Sequence, residues 1–435
     1  MPANPEQLRY YLVCKPTQNF LRAYQSSEQV LADYLRDTLK LSNAINVLAQ
    51  PLLGAVGKAP PGPTNPFTDV VIVVLGPQTP DALNELIRKE GTAPNDVITG
   101  GPDLQIGSAE HWCPRDATDP IFGNRAAANT LINAAHLKDQ RVTGKEVNVV
   151  IVDQGVTKAQ VKSLGGRFGH WEIEGVRPGA VASPHGMMIT RSILSIAPDV
   201  TIFDLPVIPE RILDIPSFLS DANAVFLKMM DKIAAFQSGR SHSGPWVIVN
   251  AWSIFDRRHA VSEKYCDDPT HPFNNIVSEL VRGGHDMVFC AGNCGQFCPD
   301  GRCAPPNIGP GASILGANSL EAVLTVGAVR TDGLWLGYSA QGPGQSKLGL
   351  NKPDLCAPSQ FREDDDASIV NRGTSTACAL AAGVVAALRE NWPAAAVSPQ
   401  QLIDVLKETA HSGRSGWEHR LGSGIIDAKA AYQSL

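Results

Sequence analysis

Short apolar runs separated by helical patterns fill most of the chain. Four runs are apolar at nearly every position and end beside a polar residue or a glycine: residues 147–152, 246–249, 287–290 and 323–326. Strands that are apolar on both faces are typical of a parallel sheet covered by helices on its two sides. From about Ile121 onward, the sequence therefore predicts a three-layer α/β domain with a mainly parallel sheet.

The N-terminal part of the chain shows a weaker pattern. Its predicted elements are strands at residues 10–14 and 70–75, a helix over residues 28–49, a proline-rich loop at residues 59–66 and a helix that begins at Thr79 and Pro80. Residues 113–120 are weakly patterned and mark a boundary. We therefore expect a small N-terminal α/β region, residues 1–117, followed by a larger domain, residues 118–435.

Composition and charge narrow the expected partners. The chain has 435 residues, of which 43% are hydrophobic and 18% are charged, and its formal net charge is −6. A chain without a lysine- or arginine-rich run is not expected to bind nucleic acid. The longest apolar run, residues 377–388, has about half of the roughly 20 residues that span a membrane. With no secretory signal pattern visible, we expect no membrane partner and a cytoplasmic location, unless export follows another route.

Nine cysteines cannot all pair within one chain, because their number is odd. Four of them lie close together in the sequence: Cys290, Cys294, Cys298 and Cys303. Their spacing does not match the paired groups that zinc ribbons use. We expect a local disulfide among Cys294, Cys298 and Cys303, with free thiols and a zinc site as the alternatives.

Polar residues follow three of the apolar runs. Asp153 and Asn250 come directly after two of them, and Asn293 comes three residues after a third. In parallel sheets, functional side chains collect just beyond the carboxyl ends of the strands. These three residues are therefore candidates for a functional site, although an aspartate at a strand end occurs in many α/β proteins.

Two further segments place reactive side chains at predicted helix starts. Ser183 is a plausible N-cap and Pro184 lies in the first turn, which places His185 at the start of a helix. Ser375 enters a long helix of small residues, near the positive end of the helix dipole. Each residue alone also fits a structural role, as a core histidine or as an N-cap serine.

Together these segments resemble the subtilisin-like (S8) serine peptidases, whose triad follows the order Asp, His, Ser along the chain. Further segments resemble the S1-lining strand, the Ala-Ala-Gly-Asn segment, the Lys-Pro-Asp turn and the C-terminal Gly-x-Gly signature of that family: residues 249–253, 290–293, 352–358 and 422–428. The resemblance covers about residues 121–435, with every motif in the family's order.

The resemblance implies a catalytic triad of Asp153, His185 and Ser375, with Asn293 as an oxyanion-hole donor. It implies a serine endopeptidase that cleaves protein or peptide substrates through an acyl-enzyme and requires no metal or organic cofactor. Calcium sites are common in the family, but we interpret residues 364–366 as a solvated acidic loop. Two segments are expected to contact substrate, with Trp252 narrowing the S1 pocket: Ala251, Trp252 and Ser253, and Cys290, Ala291 and Gly292.

Two positions depart from the family pattern, and two other functions stay open. Ala379 stands where the family usually has a proline, and Met187 and Met188 stand where it has Thr-His. His170 and His285 match no motif, and we interpret both as structural. The alternatives to a peptidase are a pseudo-protease that only binds peptides and an enzyme that uses its serine for ester hydrolysis or transpeptidation.

The resemblance gives two interpretations of residues 1–117. Subtilisin-like enzymes often carry a small α/β prosegment whose last strand lies in the active site until it is removed, and residues 113–120 would then contain the cut. The alternative is a permanent regulatory or partner-binding domain. The sequence alone leaves both open.

Overall fold

The computed structural model describes most of the chain beyond residue 120. The described residues are 121–208, 218–239, 241–257, 264–411 and 416–435, with five short N-terminal strands and the helical positions Arg22, Ser26, Val30, Asp33 and Asp37. In chain order, the strands are β1 (Tyr10–Cys14), β2 (Gln50–Pro51), β3 (Val71–Leu75), β4 (Val97–Pro102), β5 (Gly107–Ser108), β6 (Asn148–Asp153), β7 (Arg167–Phe168), β8 (Thr201–Pro206), β9 (Trp246–Asn250), β10 (Trp252–Ser253), β11 (Asp286–Cys290), β12 (Leu324–Val329), β13 (Leu355–Pro358), β14 (Phe361–Arg362) and β15 (Val370–Asn371).

A seven-stranded sheet lies at the centre of the larger domain. Its strand order is β13-β12-β11-β9-β6-β8-β7, and each neighbouring pair runs parallel. The four apolar runs of the sequence correspond to β6, β9, β11 and β12. The predicted α/β fold with a mainly parallel sheet is therefore confirmed.

Helices cover both faces of this sheet. They are α1 (Arg125–Leu131), α2 (Ala135–Asp139), α3 (Lys158–Ser163), α4 (Pro184–Leu194), α5 (Phe218–Ser238), α6 (Lys264–Asp267), α7 (Pro272–Arg282), α8 (Gly373–Arg389), α9 (Pro399–Glu408) and α10 (Ala428–Ser434). Helices α4 and α8 share one hydrophobic core with the sheet, and α5 and α7 share the other. Within β6, Val149 and Ile151 enter the first core, whereas Val150 and Val152 enter the second. This alternation explains why the strand is apolar on both faces.

Helix α8 lies close to α4 because small residues line it. Every residue of α8 is buried. A β-carbon on Gly383 would lie 3.1 Å from the backbone oxygen of Ile193 in α4, a distance tighter than ordinary van der Waals contact. The approach of the two helices therefore depends on a glycine at this position.

The N-terminal strands form a separate antiparallel sheet in the order β2-β3-β1-β4, and β3 contacts α5. The predicted strand at residues 10–14 is confirmed, and the one predicted at 70–75 begins at Val71. Strands β2, β4 and β5 were not predicted. Val30, Asp33 and Asp37 are helical, inside the predicted helix. The loop at 59–66, the helix from Thr79 and the boundary at 113–120 lie outside the described residues.

No helix in the described part of the chain combines the length and apolarity that a membrane span requires. The longest is α5, with 21 residues.

A buried ion pair joins the end of α8 to the start of β11. The Arg389 guanidinium donates from Nε and Nη2 to the two carboxylate oxygens of Asp286, each at 2.6 Å. Arg389 is fully buried, and Asp286 is 6% exposed. Two parallel hydrogen bonds of this kind hold helix and strand in one relative position.

Replacing Arg389 by leucine should lower the free energy of unfolding by about 3–5 kcal/mol, because it leaves the Asp286 carboxylate buried without a partner. The double variant Arg389→Leu/Asp286→Leu should recover part of that loss. Urea unfolding of the three proteins measures both effects. The matched control is Arg167→Leu, which breaks the exposed pair with Asp199 at 2.8 Å and should cost less than about 1 kcal/mol. Equal losses of unfolding free energy at the two sites would show that the buried Arg389–Asp286 pair matters no more to stability than the exposed Arg167–Asp199 pair.

Candidate active site

Three neighbouring strands end in residues that the sequence singled out. Asp153 is the last residue of β6, Asn250 of β9 and Cys290 of β11, and these strands are adjacent in the sheet. Because the strands are parallel, their carboxyl ends meet at one edge. That edge is the place where ligands bind in open α/β sheets.

Asp153 and His185 form a buried pair. Both carboxylate oxygens of Asp153 lie 2.8 Å from Nδ1 of His185. The side chains of both residues are fully buried. The contact occupies Nδ1, so Nε2 lies on the opposite side of the ring, away from the carboxylate.

The start of α4 determines where the imidazole lies. Ser183 is the N-cap, and its hydroxyl accepts hydrogen bonds from the backbone N–H groups of His185 and Gly186. The same hydroxyl donates to Oε1 of Gln154 at 2.7 Å, in the turn after β6. A β-carbon on Gly186 would lie 2.2 Å from the backbone oxygen of Gly155, so only glycine fits there. The predicted helix start is confirmed, and it packs directly on the turn that follows Asp153.

Ser375 is the third residue of α8, as the sequence predicted. Its hydroxyl lies 3.2 Å from the backbone oxygen of Ala251, just beyond β9. Helix α8 packs against α4, and next to Ser375 the Thr376 hydroxyl lies 3.4 Å from the sulfur of Met188. Met188, one of the two departures from the family pattern, therefore contributes to the contact between the two helices.

Thr374 fixes the orientation of the Asn293 amide. The amide oxygen accepts from the backbone N–H of Thr374 at 3.0 Å and from its hydroxyl at 2.9 Å. The same hydroxyl accepts from the backbone N–H of Gly292 at 3.1 Å. Because the oxygen faces Thr374, the amide nitrogen faces the opposite way. The sequence analysis did not identify Thr374, and its position directly before Ser375 was the available signal.

The side chains of two residues expected to contact substrate are buried in the core instead. The Trp252 indole is fully buried and packs edge-on against Phe289. The expectation that it narrows a pocket is therefore wrong, and only its backbone lies at the sheet edge. The Cys290 thiol donates to the Trp252 backbone oxygen at 3.4 Å. Burial raises the pKa of this thiol to about 12, so it stays neutral.

The other expected contact residues lie at the edge itself. A β-carbon on Gly292 would lie 2.9 Å from the Ser253 hydroxyl oxygen, and its φ of +99° also favours glycine. Ala291 is buried. One residue that the sequence analysis missed joins the two segments: Nδ2 of Asn318 donates to the backbone oxygens of Trp252 at 2.9 Å and Cys290 at 2.8 Å.

The clustered cysteines are partly disulfide-bonded. Cys294 and Cys303 form a disulfide, which confirms the expected local bridge, and Cys298 also belongs to a disulfide. The bridge closes the loop that follows Asn293. Among the described residues, no group of three or more His, Cys, Asp and Glu side chains could hold a metal ion.

The two histidines that match no motif, His170 and His285, lie outside the Asp153–His185 pair. His170 is exposed, after β7. His285 is 7% exposed, follows α7, and its Nδ1 has no hydrogen-bond partner in the part of the chain that the structure describes. Burial lowers the pKa of His285 to about 4, so the ring stays neutral near pH 7.

Known proteins resemble this chain in sequence and in fold. The model of the subtilase family matches residues 215–424, a span that contains Asn293 and Ser375 but neither Asp153 nor His185. Mycosin-1 of Mycolicibacterium smegmatis is 26% identical over 167 residues, which cover 34% of this chain and 35% of that protein. Mycosin-1 of Mycobacterium tuberculosis is 24% identical over 397 residues, covering 83% of this chain and 85% of that protein.

A solved structure shows the same fold. Fervidolysin of Fervidobacterium pennivorans, described as a keratinolytic enzyme related to subtilisin, matches with a TM-score of 0.59 and 15% identity. The match covers 100% of this chain and 62% of that chain. A parallel α/β sheet with a carboxylate–imidazole pair at its edge and a serine at a neighbouring helix start is an arrangement found in the subtilisin-like class. Residues 215–424 therefore match the subtilase (S8) family, and the fold of the chain is subtilisin-like.

The buried His285 ring should make the protein less stable as the pH falls from 6.5 toward 4. The unfolded chain binds this proton near pH 6.5, whereas the folded protein binds it only near pH 4, so protons favour the unfolded state. Between pH 7.5 and pH 5 this group should remove about 2 kcal/mol of unfolding free energy. Urea unfolding at both pH values should show a larger loss for the wild type than for His285→Gln. Equal losses would contradict the prediction.

Proposed function

We propose that the chain is a serine endopeptidase that hydrolyses peptide bonds of protein substrates through an acyl-enzyme intermediate. Ser375 is the nucleophile, His185 the general base and acid, Asp153 the residue that orients His185, and Asn293 an oxyanion donor. One observation carries the proposal. Both carboxylate oxygens of Asp153 lie 2.8 Å from Nδ1 of His185, at the sheet edge where α4 and α8 bring their first turns together.

The first half-reaction forms the acyl-enzyme. A serine hydroxyl is a weak nucleophile and needs a base, and the imidazole is the side chain whose unperturbed pKa suits that task near pH 7. Nε2 of His185 takes the Ser375 proton as the oxygen attacks the carbonyl carbon. The imidazolium then gives that proton to the leaving amine. In the second half-reaction, a water molecule attacks the acyl carbon and gives a proton to Nε2 of His185. That proton then returns to the Ser375 oxygen as the carboxylic acid product leaves.

Asp153 and Asn293 stabilise the charges that develop. The Asp153 carboxylate keeps the proton on Nδ1 and stabilises the imidazolium. The Asn293 amide nitrogen faces away from Thr374, and we propose that it donates to the oxyanion together with the backbone N–H of Ser375. A side-chain donor of this kind contributes roughly 10²–10³ in kcat. Every step uses groups of this chain, so the proposal requires no metal ion or organic cofactor.

The competing functions share the fold, and only one of them, the pseudo-protease, does without the catalytic residues. A pseudo-protease that binds peptides has no need for a nucleophile, a base and an oxyanion donor, yet this chain retains all of them. Ester hydrolysis and transpeptidation use the same acyl-enzyme and differ in leaving group or acceptor. Comparison of matched ester and amide substrates separates them from peptide hydrolysis.

Ser375→Ala should abolish labelling by a fluorophosphonate probe and lower the turnover of a protein substrate by at least ~10³-fold. His185→Ala should lower turnover by a similar factor, and the double variant should be little worse than either, because the residues act as one unit. Asp153→Asn should reduce kcat by about 10⁴-fold, since the imidazole then favours the wrong tautomer.

The control for His185 is His170→Gln, which changes an exposed histidine and should keep full activity. Circular dichroism of each variant checks that the fold is unchanged. Full labelling of Ser375→Ala would show that another residue is the nucleophile, and an unlabelled, inactive wild type would decide for the pseudo-protease.

For the N-terminal region, we propose the prosegment rather than a permanent regulatory domain. Strand β5 pairs antiparallel with β10, so that Ser108 lies opposite Trp252. The chain direction at Ser108 leads toward Ala251, whose backbone oxygen lies 3.2 Å from the Ser375 hydroxyl. A peptide that adds as an antiparallel strand to an exposed edge is a common mode of substrate recognition. Strand β5 thus supports an N-terminal region that occupies the cleft as a substrate would.

Incubated wild-type protein should therefore shorten, with a new N-terminus a short distance after Ser108, whereas Ser375→Ala stays full length. N-terminal sequencing and intact mass measure the cut. Gly107→Pro/Ser108→Pro removes the backbone N–H groups of β5 and should raise the peptidase activity of the uncut chain. A wild-type chain that stays intact and fully active would instead support the regulatory or partner-binding domain.

The disulfide also bears on the compartment. Disulfides persist in oxidising environments and are rare in reducing cytoplasm. The Cys294–Cys303 bridge, next to Asn293, therefore leads us to propose an oxidising location in place of the cytoplasmic one expected from the N-terminus.

A further inference from the structure

A second buried carboxylate lies behind the Asp153–His185 pair. Asp204 is 0% exposed and belongs to β8, the strand that pairs with β6 on the side opposite β9. In that pairing Asp204 lies opposite Ile151, two residues before Asp153. The mechanism proposed above does not use Asp204.

The Asp204 carboxylate binds two backbone N–H groups from separate segments. Val156 donates to Oδ1 at 3.0 Å, and Gly179 donates to Oδ2 at 2.6 Å. The strand itself is anchored at the same residue, because Nε1 of Trp171 donates to the Asp204 backbone oxygen at 2.7 Å. No cation of the described residues contributes to its environment.

The two segments are the ones that carry the catalytic pair. Val156 lies in the turn that follows Asp153, and Gly179 lies shortly before Ser183, the N-cap of the helix that carries His185. The segments also touch directly, since a β-carbon on Gly155 would lie 2.8 Å from Cβ of Val181. A single carboxylate thus bridges the backbone next to Asp153 and the backbone that leads to His185.

Such a residue is costly to the fold. A buried carboxylate without a cation loses its hydration, and two backbone hydrogen bonds offset that loss only in part. Burial, and to a smaller extent the nearby charge of Asp153, raise the pKa of Asp204 to about 7. An apolar residue would suit the interior of the sheet better, so the carboxylate at this position calls for a functional reason.

We propose that Asp204 is a positioning residue of the peptidase: its bridge between the Val156 and Gly179 backbones keeps Asp153 and His185 at hydrogen-bond distance during proton transfer. This inference rests on the proposed function of the triad. Displacement of catalytic groups by about 1 Å can cost roughly 10² in rate. In the proposed function substrate would bind along β10, as β5 does, away from β8, so loss of the bridge should affect kcat and leave KM nearly unchanged.

Two variants test the bridge in steps. In Asp204→Asn one oxygen still accepts an N–H, but the amide nitrogen faces the other N–H group, so one of the two bonds is lost. Asp204→Ala loses both. With a chromogenic peptide, we expect kcat to fall about 10-fold for asparagine and about 100-fold for alanine, with KM changed less than about 2-fold. The rate of fluorophosphonate labelling should fall in the same order.

Asp286→Asn is the matched control. It also alters a buried aspartate, at the start of β11 and held by Arg389, and should lower stability without changing kcat per titrated active site. Assays run well below the unfolding temperature of each protein. Full kcat in both Asp204 variants, or equal losses of kcat in Asp204→Asn and Asp286→Asn, would overturn the proposal.

A spectroscopic readout separates this proposal from the proposed function. The proton between Nδ1 of His185 and the Asp153 carboxylate should give a downfield NMR signal that does not depend on turnover. We expect the signal to be lost or shifted in Asp204→Ala and kept in Asp286→Asn and Ser375→Ala. An unchanged signal in Asp204→Ala would overturn the bridge even if the wild type proved inactive, whereas inactivity with the expected shifts would count only against the peptidase.

Discussion

Helix α4 begins in direct contact with the turn that follows β6, and the geometry of the candidate active site depends on that contact. The close approach of Gly186 to the Gly155 backbone oxygen brings the first turn of the helix onto the strand end. The Ser183 hydroxyl bonds to Gln154 across the same contact. With these two constraints in place, Nδ1 of His185 lies at hydrogen-bond distance from the Asp153 carboxylate.

The second constraint is the packing of α8 against α4. Because α8 consists largely of small residues, its backbone lies close to α4 at Gly383. That approach places the first turns of both helices at the same sheet edge, with Ser375 on one and His185 on the other. The Thr374–Asn293 hydrogen bonds then join α8 to the end of β11. The site is thus built on rigid elements, which is what a preorganised reaction centre requires.

The site also concentrates buried polar groups that lower the stability of the fold. Asp153, His185, Asn293 and Ser375 are nearly or fully buried, and Asp204 lies behind them with no cation from the described residues beside it. Elsewhere, buried charges are paired, as in Arg389–Asp286. The unpaired Asp204 carboxylate thus lies beside the candidate active site, where a loss of stability can be retained for function.

The sequence by itself determined the class of the fold and singled out the candidate reactive side chains. Strands apolar on both faces specified a covered parallel sheet, and Ser183 with Pro184 specified the start of α4, because both signals are local in the chain. Only the tertiary structure decided the roles that depend on contacts between distant segments. Three contacts join residues 25 or more positions apart: the packing of the Trp252 ring on Phe289, the hydrogen bond of Thr374 to Asn293, and the bridge made by Asp204. Hydrophobic periodicity and helix caps do not predict such contacts, because only the packing of the folded chain brings those residues together.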